Sequence, residues 1–84
     1  MNTTVTQRSN FSTKALSKAV VYFIDGNSRK RYSYDLHRGI PSRTKGITRL
    51  KSMVEGWKDN VQTAIIYDNT TDQEITRYKD GSWT

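Results

Sequence analysis

"KAVVYFIDGNSRKRYSYD", residues Lys18–Asp35, decides how this chain folds. "KAVVYFID" is almost continuously apolar, rich in β-branched and aromatic residues. That predicts a strand inside a sheet with both faces covered. "DGNS" predicts a turn, because Asp and Asn side chains bond their own backbone and Gly accepts positive φ. "RKRYSYD" predicts a second strand whose charges suit a sheet edge, where Lys and Arg discourage pairing with another chain.

The pattern recurs further on. "VQTAIIYD" (61–68) is a third strand, "DNTTDQ" a polar turn and "EITRYKD" (74–80) a fourth strand. "AVVY" at Ala19–Tyr22 echoes "AIIY" at Ala64–Tyr67, and the two hairpins end at Asp35 and Asp80. Strands one and three therefore read as the apolar central pair, and strands two and four as charged edges. "DGSWT" closes the chain, with Trp83 expected to fold back over the edge of the core.

Between the hairpins lies one amphipathic helix, about Ser42 to Lys58. Ile47, Leu50, Val54 and Trp57, with Met53 beside them, fall on one arc of about 120° at 100° per residue. Pro41 breaks what precedes, Ser42 can cap the first turn, and Asp59-Asn60 stops it. The predicted fold is α+β, ββαββ, with a four-stranded antiparallel sheet in the order 2-1-3-4 and the helix packed on one face. One domain spans 18–84. Residues 1–17, rich in Ser, Thr and Asn, read as a flexible tail. Either a turn of helix at Ser12–Lys18 or an edge strand at Thr3–Gln7 is the local alternative.

The chain has 84 residues, so one domain is the limit and the core is thin. Two Trp, two Phe and five Tyr supply buried area that the 33% apolar content would not. There is no Cys, hence no disulfide framework and no thiolate metal site. No apolar run is long enough to span a bilayer, and no membrane partner is expected. "MNTTVTQRSNFSTK" lacks the apolar centre of a secretion signal, so a cytoplasmic protein is expected. The Asn-x-Ser/Thr triplets at Asn2, Asn10 and Asn69 then carry no glycosylation message.

Catalysis is not expected. The single His, His37, lies two residues after Asp35 with no nucleophile marked beside it, and an exposed loop histidine is the ordinary reading. Asp68, Asp72 and Glu74 have part of a calcium-loop spacing, but the required Gly is missing and Lys79 stands where a bidentate Glu belongs. "GIPSRTKGIT" (39–48) places Lys45 before Gly46, the reverse of a Walker loop. No metal and no cofactor are expected.

Charge is the positive signal. Fourteen Lys and Arg face eight Asp and Glu, a net of +6. Arg29, Lys30, Arg31, Arg38, Arg43, Lys45, Arg49 and Lys51 all fall within 29–51, a span with one acid, Asp35. Arg43 and Lys45 oppose the positive end of the helix dipole, with Arg38 just upstream, which makes sense if an anion sits there. Short surface helices also tolerate such charges. Lys45, Arg49, Ser52 and Gly56 line the helix face opposite the apolar arc. On strand two, alternation separates Arg29, Arg31 and Ser33 from Lys30, Tyr32 and Tyr34. The helix needs core partners, so the tyrosines are expected beneath it and the arginines on the open face. The reverse register would expose the tyrosines as a stacking platform for bases.

Two functions follow. The first is a non-enzymatic module that binds nucleic acid, DNA or RNA, through phosphate contacts from Arg29, Lys30, Arg31, Arg38, Arg43, Lys45 and Arg49. The second is a small factor of the kind phages or mobile elements encode, which occupies or inhibits a host protein. It would dock by a sheet edge, by the basic helix face, or as a symmetric oligomer such as a homodimer.

Overall fold

The computed structural model describes residues 15–84. β1 (Ser17–Phe23) and β2 (Ser28–Ser33) form the first hairpin. A short pair, β3 (Leu36–His37) and β4 (Ile40–Pro41), leads into the helix α1 (Arg43–Gly56) and a 3₁₀ turn at Lys58–Asn60. Then come β5 (Val61–Asp68), β6 (Glu74–Lys79) and β7 (Ser82–Trp83). The main sheet is antiparallel in the order β2-β1-β5-β6-β7, and β3-β4 form a sheet of their own. The α+β architecture with one helix among the described residues agrees with the sequence reading. The four-strand count does not, because β3, β4 and β7 are two residues long, too short to show a pattern.

Both hairpins formed by these short strands turn on a residue-Gly pair with positive φ at each position. Arg38 (φ 55) and Gly39 (φ 79) join β3 to β4. Asp80 (φ 54) and Gly81 (φ 84) join β6 to β7. Two left-handed residues match the twist of the flanking strands, and Gly reaches that region at no steric cost. The first hairpin turn forms as its composition implies. Asp25 Oδ1 accepts from Asn27 N at 3.0 Å, and Gly26 adopts φ 92.

The helix covers one face only. Ala19 and Val21 of β1, Ala64 and Ile66 of β5, and Tyr78 of β6 pack against Leu50 and Val54, with Phe23, Ile47, Met53, Trp57, Val61 and Trp83 around them. Strand β1 was expected to be covered on both sides. Among the described residues no helix lies on its other side, where Tyr22 is 43% exposed. Val20 there is apolar because it stands between Lys30 and Ile65 on the neighbouring strands. Ser42 caps the helix by accepting from Lys45 N at 3.2 Å. Trp83 lies on Tyr78 with ring centroids 5.0 Å apart, and its Nε1 donates to Glu55 at 2.9 Å.

Ala15 is fully buried, and Leu16 N donates to Ser33 O at 3.1 Å. Asn69 N donates to Leu16 O at 2.9 Å. The folded part thus starts before residue 18, and Ser17 and Lys18, included in the expected helical turn, are in β1. The rest of that tail, with the Thr3–Gln7 strand, lies outside the described residues.

The central ladder has a local two-fold pattern. Ala19 pairs with Ile66, Val20 with Ile65, and Val21 with Ala64. The echoing segments AVVY and AIIY therefore lie side by side, reversed about the Val20–Ile65 pair.

Candidate nucleic-acid interface

The register of β2 is the reverse of the one expected. Ser33 faces the helix and is 2% exposed, so Arg31 and Arg29 share its face, while Lys30 and Tyr32 look the other way. The cause is a close approach. A Cβ on Gly46 would sit 2.0 Å from Ser33 Oγ. A tyrosine cannot occupy the place of Ser33, and the core takes its aromatic rings from Tyr78, Trp83, Phe23 and Trp57 instead. The sequence signal for this register is the pair of small residues Ser33 and Gly46.

Arg29 and Arg31 can share the helix face because they lie beyond its buried centre, at the end where Trp57 stands. The Arg29 guanidinium is 5.7 Å from a Trp57 ring centroid and 5.8 Å from that of Phe23. That of Arg31 is 5.9 Å from Trp57. Phe23 and Trp57 meet edge-to-face at 5.5 Å. The rings hold the cations by their π faces and carry their aliphatic stems. Because β2 is an edge strand, all of Arg29, Lys30 and Arg31 are exposed. None of the three makes a salt bridge among the described residues. A cavity of about 610 Å³ opens beside Arg29, lined by Phe23, Ile24, Asp25 and Trp57 among others.

The cations at the start of the helix are differently placed. Arg43 lies 3.4 Å from Asp68 Oδ2. Arg49 Nε lies 2.9 Å from Asp35 Oδ2, and Lys45 Nζ donates to Leu36 O at 3.0 Å. Arg38 sits at the exposed tip of the β3–β4 hairpin. Partial burial pushes the Asp35 carboxyl up, but hydrogen bonds from Arg49 and Ser33 outweigh it and hold the group below the usual range. Hydrogen bonds from Thr70 do the same for Asp68, with Arg43 adding to them. The structure therefore leaves Arg29, Lys30 and Arg31 without a carboxylate partner among the described residues, the two arginines on the helix face of β2 and Lys30 on the other. It ties Arg43 and Arg49 to carboxylates.

The open face of the sheet carries Tyr32 beside Lys30, the arrangement of the reverse register, together with residues of β1, β5 and β6. Cross-strand pairing arranges it in three rows: Ser28–Tyr22–Thr63–Lys79, Lys30–Val20–Ile65–Arg77 and Tyr32–Lys18–Tyr67–Glu74. Residues paired across an antiparallel ladder share a face, so each row is a line of neighbouring side chains. Lys18 Nζ lies 5.7 Å from the Tyr67 ring centroid and bonds Asp72 at 2.9 Å, which raises its pKa. Arg77 bonds Glu74 at 2.8 Å, raising its own pKa and lowering that of Glu74.

The remaining candidates for chemistry disperse. Asp68, Asp72 and Glu74 are engaged by Thr70, Lys18 and Arg77 respectively. His37 is exposed in β3. Among the described residues no three His, Cys, Asp or Glu side chains group as a metal site, and no helix is long and apolar enough to cross a membrane. No family model matches the chain, and no curated protein or solved structure shows significant similarity to it.

Proposed function

We propose that this protein is a non-enzymatic nucleic-acid-binding module whose phosphate contacts are led by the β2 edge. The observation that carries this reading is the triplet Arg29-Lys30-Arg31. All three are exposed, none has a carboxylate partner among the described residues, and Trp57 holds two of them in place. Positive side chains fixed before binding neutralise phosphates with less ordering cost. Arg38 and Lys45 add charge near the helix start, whereas Arg43 and Arg49 contribute less because Asp68 and Asp35 already neutralise them.

The test is a salt titration of binding to a mixed-sequence DNA duplex. Three phosphate contacts give a slope of log K against log salt of about −3. Arg29→Glu with Arg31→Glu should cut the slope by about two and weaken binding at low salt. Arg43→Glu with Lys45→Glu should change it far less. Binding that ignores salt, or that survives the first pair, overturns the reading.

A second reading has its own support. Ile40 is 68% exposed, Leu36 46% and Tyr34 38%, all at or near the β3–β4 hairpin. Exposed apolar side chains suit docking to a protein, as a host-directed factor from a phage or mobile element requires. A complex that forms from nuclease-treated lysate and is lost in Leu36→Ser with Ile40→Ser would favour it.

A further inference from the structure

We propose that the open face of the sheet binds a single-stranded polynucleotide, stacking bases on Tyr22, Tyr32 and Tyr67. This rests on the nucleic-acid reading and names the class of ligand. Tyr22 is 43% exposed, and Tyr32 and Tyr67 are half-buried, with the Lys18 ammonium 5.7 Å from the Tyr67 ring centroid. Tyr32 and Tyr67 stand two strands apart with Lys18 between them, a separation of about 10 Å from the usual strand spacing. Tyr22 lies four residues along β1 from Lys18, about 13 Å away at the usual rise. Arg77 pairs with Ile65, between the rows of Tyr22 and Tyr67.

Aromatic rings interleaved with cations fit an extended strand whose bases are free to splay. A duplex keeps its base faces inside its own stack and has none to offer these rings. The charge on the face fits the same ligand. Lys18, Lys30, Arg77 and Lys79 stand there against Asp72 and Glu74. Lys30 belongs to both surfaces, so the phosphate-binding edge continues directly into this face. A strand lying on the tyrosines reaches Arg29 and Arg31 by crossing β2.

Fluorescence anisotropy with the full chain tests this, using a labelled DNA oligonucleotide, its RNA counterpart and the matching DNA duplex at one low salt concentration. The single strands should bind at least about tenfold tighter than the duplex. Tyr22→Leu, Tyr32→Leu and Tyr67→Leu should each weaken single-strand binding by about tenfold, and the Phe substitutions should retain it within about twofold. Leu keeps the apolar cover over the sheet, so a loss in Leu restored by Phe reports stacking and not folding. The DNA and RNA arms show whether the sugar is read, and either preference supports the inference provided the tyrosine dependence holds. Equal affinity for duplex and single strand, with loss only in the Arg29 and Arg31 variants, overturns this inference and leaves the phosphate reading standing. No binding to any of the three overturns both.

Discussion

Gly46 is the residue at which helix and sheet come closest. The position of Ser33 Oγ, 2.0 Å from a hypothetical Cβ, leaves no room for a methyl group. Ser33 is 2% exposed and donates to Asp35 at 2.8 Å, so it cannot swing away cheaply. Gly46→Ala would gain about 1 kcal/mol of helix propensity. The clash should cost more, for a net loss of about 1–2 kcal/mol by denaturant unfolding. In a Ser33→Gly background the same substitution should be neutral or stabilising. A wild-type-like Gly46→Ala would show that the helix sits further from the sheet. Ser17 adds a detail at the same end of the core: its Oγ is buried with no hydrogen-bond partner among the described residues.

At the scale of elements, the long strands and the helix were legible because period and punctuation agreed. Alternation and apolar runs marked β1, β2, β5 and β6, while Ser42 and the 3–4 spacing of Ile47, Leu50 and Val54 marked α1. What escaped was of two kinds. β3–β4 and β7 are two residues long, below the length at which any pattern shows, although Asp80-Gly81 is a strong hairpin pair. The inward face of β2 escapes because alternation gives two faces without saying which is inward. The choice was made by Gly46 and Ser33, a contact between residues thirteen apart in the chain. The candidate site shared that fate: the basic triplet was legible as charge, but the tyrosine face depended on the same register. β7 itself is held by Trp83, against Tyr78, Glu55 and the Lys51 ammonium 5.4 Å away. Trp83→Ala should therefore cost about 2 kcal/mol, read as a lower denaturant midpoint. An unchanged midpoint would mean that β7 is a passive end.

Across the whole molecule, three carboxylates titrate below their ordinary range. Asp35, Asp68 and Glu74 are each held low by hydrogen bonds to the ionised form. The folded chain then binds fewer protons than the unfolded chain in acid. Their stabilisation is complete above about pH 5 and is lost as pH falls through the depressed values. A thermal melt series should be flat from neutral pH to about 5 and decline below about 4. Asp35→Asn should lower the plateau and soften that decline. A wild-type acid decline in that variant would assign the effect to the other carboxylates.

Half a turn about the Val20–Ile65 pair exchanges Tyr22 with Tyr67 and Lys30 with Arg77, by the pairing of the central ladder and its flanks. A polymer with a head and a tail meets near-equivalent footing whichever way it lies across such a surface. Chain sense is then decided where the equivalence fails, Tyr32 against Lys79, Ser28 against Glu74 and Lys18 against Thr63. Directionality is thus separable from grip only in part: changing Tyr32 would loosen the proposed ligand as well as turn it, because its ring is one of the three offered for stacking.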